Sequence, residues 1–193
     1  MCFEQPKAVS TMSISSFGSL PNLISLLRLV LVPVVISMIV TDRWVGAFLI
    51  FVAAGVSDAV DGWLANRFNL RTELGAYLDP LADKMLLISI YVALAVSDTV
   101  PATIAILIVF RDLMIIAAFL VSWIMGKPVK VRPLLVSKAN TVAQIAFAAL
   151  VLGAKAFGVQ LGLWFEAGLG IVAALTLASA AAYLWQWIRH MGL

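Results

Sequence analysis

Cysteine is nearly absent from this 193-residue chain, where Cys2 is the single example. An intramolecular disulfide is therefore excluded, and no cysteine set has metal-ligand spacing. Nothing in the sequence marks Cys2 as an activated thiol. Histidine is equally scarce, and His190 near the C-terminus reads as a surface residue rather than a base. Charge is also thin: 12% of residues are charged against 63% hydrophobic, with a mean hydropathy of +1.07. That balance excludes a soluble domain and predicts an integral membrane protein, with no nucleic acid as partner. The N-terminus lacks a basic region followed by an apolar run and a small-residue cleavage site, so no signal peptide is expected. It is also poor in arginine, which makes a bacterial cytoplasmic (inner) membrane the simplest location. We find no internal repeat and no low-complexity segment.

Long apolar runs are what the chain does have. Six of them approach the ~20 residues that a bilayer core demands: Ile24 to Val40, Trp44 to Ala65, Leu74 to Val96, Pro101 to Met125, Lys138 to Ala156 and Leu161 to Trp187. Short polar or Pro/Gly-marked connections separate them. The expectation is an all-α bundle of six transmembrane helices forming one membrane domain over residues 21–193, with residues 1–20 as a cytoplasmic or interfacial segment. Lys7, Arg67, Arg71, Lys127, Lys130, Arg132, Lys138 and Arg189 fall on one side of such a bundle, against Arg43 and Lys155 on the other. Eight cations against two orient the termini and the basic loops toward the cytoplasm. Lys127, Lys130, Arg132 and Lys138 are denser than topology requires and read as an anion site, or as a contact to anionic headgroups.

Against this apolar background, Asp58, Asp61, Asp79 and Asp83 crowd into 26 residues that span the end of the second apolar run and the start of the third. An ionised side chain at membrane depth costs at least ~2.5 kcal/mol, so four of them imply a function. An all-oxygen cluster suits a hard divalent cation such as Mg²⁺, Mn²⁺ or Ca²⁺. The i, i+3 and i, i+4 spacings put each pair on one face if each lies on a helix. Two facing pairs could hold one or two cations and leave positions open for an anionic substrate. The blander alternative is that some of them cap helices at a polar turn. Apart from Lys138 and Lys155 at span edges, Arg28, Lys84, Arg111, Asp112 and Glu166 are the remaining charges within the spans. Arg28 can snorkel or reach the cleft, Lys84 can pair with a carboxylate, and Arg111 and Asp112 should face the bundle interior, either paired with each other or touching substrate.

The spacing Asp58-x2-Asp61-Gly62-x2-Ala65, eight residues, then Gly75-x3-Asp79-x3-Asp83 resembles the signature of the CDP-alcohol phosphatidyltransferases, DxxDGxxAR(x)8GxxxDxxxD. PNLISLLR, FRDLMIIAA and SKANTVAQ resemble further segments of that family. One position departs, with Asn66 where the family has arginine; a neutral amide supplies neither the charge nor the fork of donors, and Arg67 next along points about 100° further around a helix.

The resemblance implies a metal site of Asp58, Asp61, Asp79 and Asp83, with two Mg²⁺ or Mn²⁺ ions and Asp83 as general base. It implies a CDP site of Asp58, Gly62, Ala65, Asn66, Arg67, Gly75 and Asp79, facing the cytoplasm. The donor would be CDP-diacylglycerol, CMP the leaving group and a homodimer the assembly. Arg28, Arg111, Lys130, Arg132 and Lys138 are the acceptor or phosphate-binding candidates. Within the family the chain looks most similar to the cardiolipin synthases of eukaryotic type and to the phosphatidylglycerophosphate synthases. Asn140, where glycerophosphate-using relatives commonly carry a second lysine, leans the acceptor toward phosphatidylglycerol over glycerol 3-phosphate. A cation transporter or a non-catalytic lipid-binding protein would explain the apolar spans but not the ordered aspartates. Trp44, Trp164, Trp185 and Trp187 read as membrane-interface anchors.

Overall fold

The computed structural model describes the backbone of residues 19–68, 73–124 and 134–191, and the side chains from 27 onward except 59, 61–83, 119–120, 123 and 190–191. Six helices follow one another, α1 (Ser19–Val40), α2 (Trp44–Phe68), α3 (Glu73–Val96), α4 (Ala102–Ile124), α5 (Leu135–Phe157) and α6 (Leu163–Met191). Each coincides with one predicted apolar run to within a few residues. No strand occurs among the described residues. A segment that must bury its backbone in an apolar medium can satisfy its own N–H and C=O groups only as a helix, which is why hydropathy located these elements. By length and composition, Leu135–Phe157 and Leu163–Arg189 are apolar enough to cross a membrane. Leu27–Val40, Trp44–Asp58 and Lys84–Val96 are shorter apolar stretches, the latter two bounded by the aspartate-rich ends of α2 and α3. Most of the N-terminal segment 1–20, and the basic loop with Lys127, Lys130 and Arg132, lie outside the described residues.

Three tight connections close one end of the molecule. Asp42 (φ 57°) and Asp98 (φ 52°) adopt the left-handed conformation between α1 and α2 and between α3 and α4. Aspartate tolerates that region better than most residues. After α5, Gly158 (φ 66°) ends the helix, and the Val159 N–H donates back to the Ala154 carbonyl at 2.8 Å. Only a residue without a Cβ takes that cap at no steric cost.

The helices pack as a closed ring in the order α1, α2, α5, α6, α4, α3, with α3 and α5 touching across the middle. Across that contact the Tyr91 hydroxyl donates to the Gln144 carbonyl at 2.9 Å. Val35, Ile39, Ala47, Ile90, Leu94, Ile108, Val151 and Leu152 form the densest core. The exterior is apolar, with Phe110, Ile124, Leu135, Leu163 and Trp164 each more than half exposed. Arg28, Arg111, Asp112, Asn140, Gln144, Thr176 and Ser179 are buried instead. An apolar surface around a polar interior is the arrangement expected where the surroundings are hydrocarbon and the polar groups must find partners inside.

Candidate functional site

Asp58 sits on α2 toward the end away from the tight connections, and its side chain is 44% exposed. The Arg28 guanidinium of α1, buried with a side-chain exposure of 4%, approaches its Oδ1 at 2.7 Å. The two residues are brought together by the contact between α1 and α2. Both line a cavity of about 580 Å³ bounded also by Lys84 and Leu87 of α3, Asp112 of α4, and Thr141, Gln144 and Ile145 of α5. Most of its wall is apolar, from Phe51, Val52 and Val56 to Leu86 and Ile145. Near the tight connections α2 and α5 are held together, with Phe48 edge-on to Phe157 at 5.7 Å. A Cβ at Gly153 would meet the Phe48 ring at 3.3 Å, so the helices approach closely there. Further along, Val52, Val56 and Ile145 are exposed at the rim of the cavity, between α2 and α5.

On the cavity's far wall the Lys84 ammonium donates to Asp112 Oδ1 at 2.9 Å. The same oxygen accepts from Arg111 Nη1. Arg111 is 2% exposed, and each of its three nitrogens has a protein acceptor: Asp112, Ser137 and Ser179. Its guanidinium also lies 5.7 Å from the centre of the Tyr183 ring, a cation–π contact. Beside this hub, Thr176 donates to Asn140 Oδ1 at 2.9 Å and Gln144 Nε2 donates to Thr176 at 3.3 Å. Asn140 is fully buried, and its Nδ2 has no partner among the described residues. A layer of polar side chains thus runs from the cavity to the α4–α5–α6 junction.

Of the residues expected from sequence, Arg28 and Asp58 meet at the cavity. Arg111 is interior as expected, but it is bonded to protein groups on every side rather than facing the cavity. Lys138 lies exposed on the first turn of α5. Asp61, Gly62, Ala65, Asn66 and Arg67 fall within α2, and Gly75, Asp79 and Asp83 within α3, so each aspartate pair does have helical spacing; their side chains lie outside the described residues. Lys130 and Arg132 lie outside altogether. Among the described residues no three His, Cys, Asp or Glu side chains form a metal group. The donor set nevertheless fits a hard cation: its members are all carboxylates, and Asp58 presents its own half-exposed at the cavity edge.

Sequence reasoning gave Lys84 a carboxylate partner without identifying it as Asp112, and did not identify the Thr141–Gln144 wall. A signal was available: Ser137, Asn140, Thr141 and Gln144 recur at i, i+3, i+4 and i+7, a polar stripe on an otherwise apolar helix.

These features belong to a recognisable class. The profile of the CDP-alcohol phosphatidyltransferase family matches residues 18–185, and the chain belongs to that family. Its members generally depend on a divalent metal. Among individual relatives, the chain is 31% identical to a rat protein named cardiolipin synthase (CMP-forming), over 92% of this chain and 64% of the relative. It is 33% identical to a rice protein named CDP-diacylglycerol–glycerol-3-phosphate 3-phosphatidyltransferase 1, chloroplastic, over 86% of this chain and 56% of the relative. A Rickettsia typhi protein named CDP-diacylglycerol–glycerol-3-phosphate 3-phosphatidyltransferase is 32% identical, over 86% of this chain and 94% of its own length. The chain spans 60–64% of the length of the human and rat cardiolipin synthases it matches.

Proposed function

We propose that this protein is a phospholipid-synthesising enzyme that transfers the phosphatidyl group of CDP-diacylglycerol to a glycerol-type hydroxyl, with phosphatidylglycerol as acceptor and cardiolipin and CMP as products. The observation that carries this reading is the cavity with Asp58 and Arg28 at its charged end and apolar side chains along its walls. An amphipathic space beside a signature aspartate suits a lipid whose headgroup reacts and whose chains stay in hydrocarbon. Glycerol 3-phosphate is the alternative acceptor, favoured by the names of the rice and Rickettsia relatives.

In the reaction, Asp83 takes the proton of the acceptor hydroxyl, whose oxygen forms a bond to the phosphorus carrying diacylglycerol as the bond from that phosphorus to the CMP oxygen breaks. The proton then passes from Asp83 to solvent. Mg²⁺ or Mn²⁺, as a pair held by Asp58, Asp61, Asp79 and Asp83, would neutralise the diphosphate and the charge developing on CMP. Gly62, Ala65 and Gly75 give the nucleotide room to approach the helices, and Arg67 supplies a cation beside Asn66. Arg28 holds Asp58 in place.

All six helices cross the membrane in this reading, as one domain over residues 21–193, with residues 1–20 on the cytoplasmic side. By their charge, the basic residues Lys130, Arg132 and Lys138 would draw anionic lipid to that side of the membrane. In a bacterium this is the cytoplasmic face of the inner membrane; homodimer formation is carried over from the family alone.

The test is to incubate the purified protein with CDP-diacylglycerol and Mn²⁺ or Mg²⁺, offering phosphatidylglycerol and glycerol 3-phosphate in separate reactions, and to identify products by mass. Cardiolipin is expected, and EDTA should stop its formation. Phosphatidylglycerophosphate in its place would establish the alternative acceptor. Absence of CMP release with any alcohol would refute the enzymatic reading.

A further inference from the structure

We propose that Lys84 holds the phosphate of an anionic lipid acceptor in the α2–α5 cavity, and that Asp112 positions its ammonium for that contact. The inference deepens the proposed transfer and rests on it for the identity of the acceptor.

The charge arrangement leads to this assignment. Asp112 is a single carboxylate shared by two cations, Lys84 and Arg111. Among the described residues one positive charge is therefore in excess. Arg111 cannot present it, because it is 2% exposed and bonded through all three nitrogens. Lys84 can: its side chain is 44% exposed and lines the cavity. An ammonium has three N–H donors, and the bond to Asp112 uses one. Arg28, the other cation among the described residues of the cavity wall, is engaged with Asp58. The incoming anion therefore meets its counter-charge at Lys84, opposite Asp58.

The walls specify the rest of the ligand. Thr141 donates its hydroxyl proton to the Ser137 carbonyl at 3.2 Å, which leaves its oxygen able to accept from a glycerol hydroxyl. Phe51, Val52, Val56, Leu86 and Ile145 offer apolar surface that a small hydrophilic phosphate would leave unfilled. Val52, Val56 and Ile145 are exposed at the rim between α2 and α5, a side route to hydrocarbon rather than to water. A phosphodiester with acyl chains fits charge and walls together. Tyr91, donating to the Gln144 carbonyl across the ring, holds α3 and α5 together behind the space.

The experiment uses the full chain in detergent or nanodiscs, with wild type, Lys84→Met, Lys84→Arg and Ile145→Trp checked for folding by thermal melting. Initial rates are measured against phosphatidylglycerol at saturating CDP-diacylglycerol and Mn²⁺, then with the roles exchanged. Loss of a charge-assisted hydrogen bond should raise the KM for phosphatidylglycerol by roughly tenfold or more in Lys84→Met. The KM for CDP-diacylglycerol should stay the same, and Lys84→Arg should recover most of the loss. Ile145→Trp, which narrows the side route, should raise the phosphatidylglycerol KM while sparing glycerol 3-phosphate.

Binding without donor or metal gives an independent readout. Native mass spectrometry of wild type should show phosphatidylglycerol preferred over neutral diacylglycerol, and Lys84→Met should lose that preference. Equal effects on both KM values, an unchanged phosphatidylglycerol KM, or an undiminished lipid preference in Lys84→Met would overturn the assignment. Use of glycerol 3-phosphate with no response to Ile145→Trp and no phosphatidylglycerol binding would overturn the lipid route. A wild type that binds phosphatidylglycerol through Lys84 yet releases no CMP would refute the proposed reaction rather than the binding site.

Discussion

Replacing Asp112 by asparagine keeps the shape of the side chain and removes the one carboxylate shared by Lys84 and Arg111. Arg111 would keep Ser137, Ser179 and the Tyr183 ring, but its charge would have no anion while it remained 2% exposed. Breaking a buried pair by removing one partner costs about 3–5 kcal/mol. Lys84 is half exposed and can turn into the cavity, so the lower end applies. For a chain of this size, about 3 kcal/mol corresponds to a fall of about 6–12 °C in Tm. Tryptophan fluorescence during heating in detergent would measure it. Lys84→Met should cost no more than about 1 kcal/mol, because an exposed partner gains little from its ion pair. The Asp112→Asn/Lys84→Met double variant should be no worse than Asp112→Asn, since it removes one of the two stranded cations. If Asp112→Asn melted within about 2 °C of wild type, or Lys84→Met proved equally damaging, the shared carboxylate would not be the hub described here.

Three further outcomes are expected. Asp83→Asn should abolish transfer while metal-dependent binding of CDP is partly retained; wild-type turnover in that variant would remove Asp83 as the base. Asn66→Arg restores the family's arginine and should raise kcat/KM for CDP-diacylglycerol; unchanged donor kinetics would show that the position does not limit this chain. Gly168→Ala should destabilise by about 1–3 kcal/mol, because the added Cβ would fall 2.5 Å from Phe147 Cδ2. Phe147 is buried and packed against Phe165 at 5.7 Å, so its ring has little room to yield; an unchanged melting curve would contradict that packing.

The sequence by itself determined the helical class, the position of six helices and the spacing of the aspartates. Those properties are local. Twenty apolar residues in a row demand a helix wherever they pack, and Asp58 and Asp61 are three positions apart whatever surrounds them. Glu166, near the start of the last apolar run, is exposed in the structure. The partner of each interior charge was not legible. Arg28 meets Asp58, Lys84 meets Asp112, and Arg111 reaches Ser137 and Ser179 across 26 and 68 residues of chain. Only the ring order of the helices decides which of these faces converge, because helices with apolar exteriors can be arranged around one another in many ways with similar burial. The arrangement that allows each described interior charge a partner also leaves Lys84 at the cavity wall and commits Arg111 to the protein, a division of roles between two cations that no reading of residue types along the chain could supply.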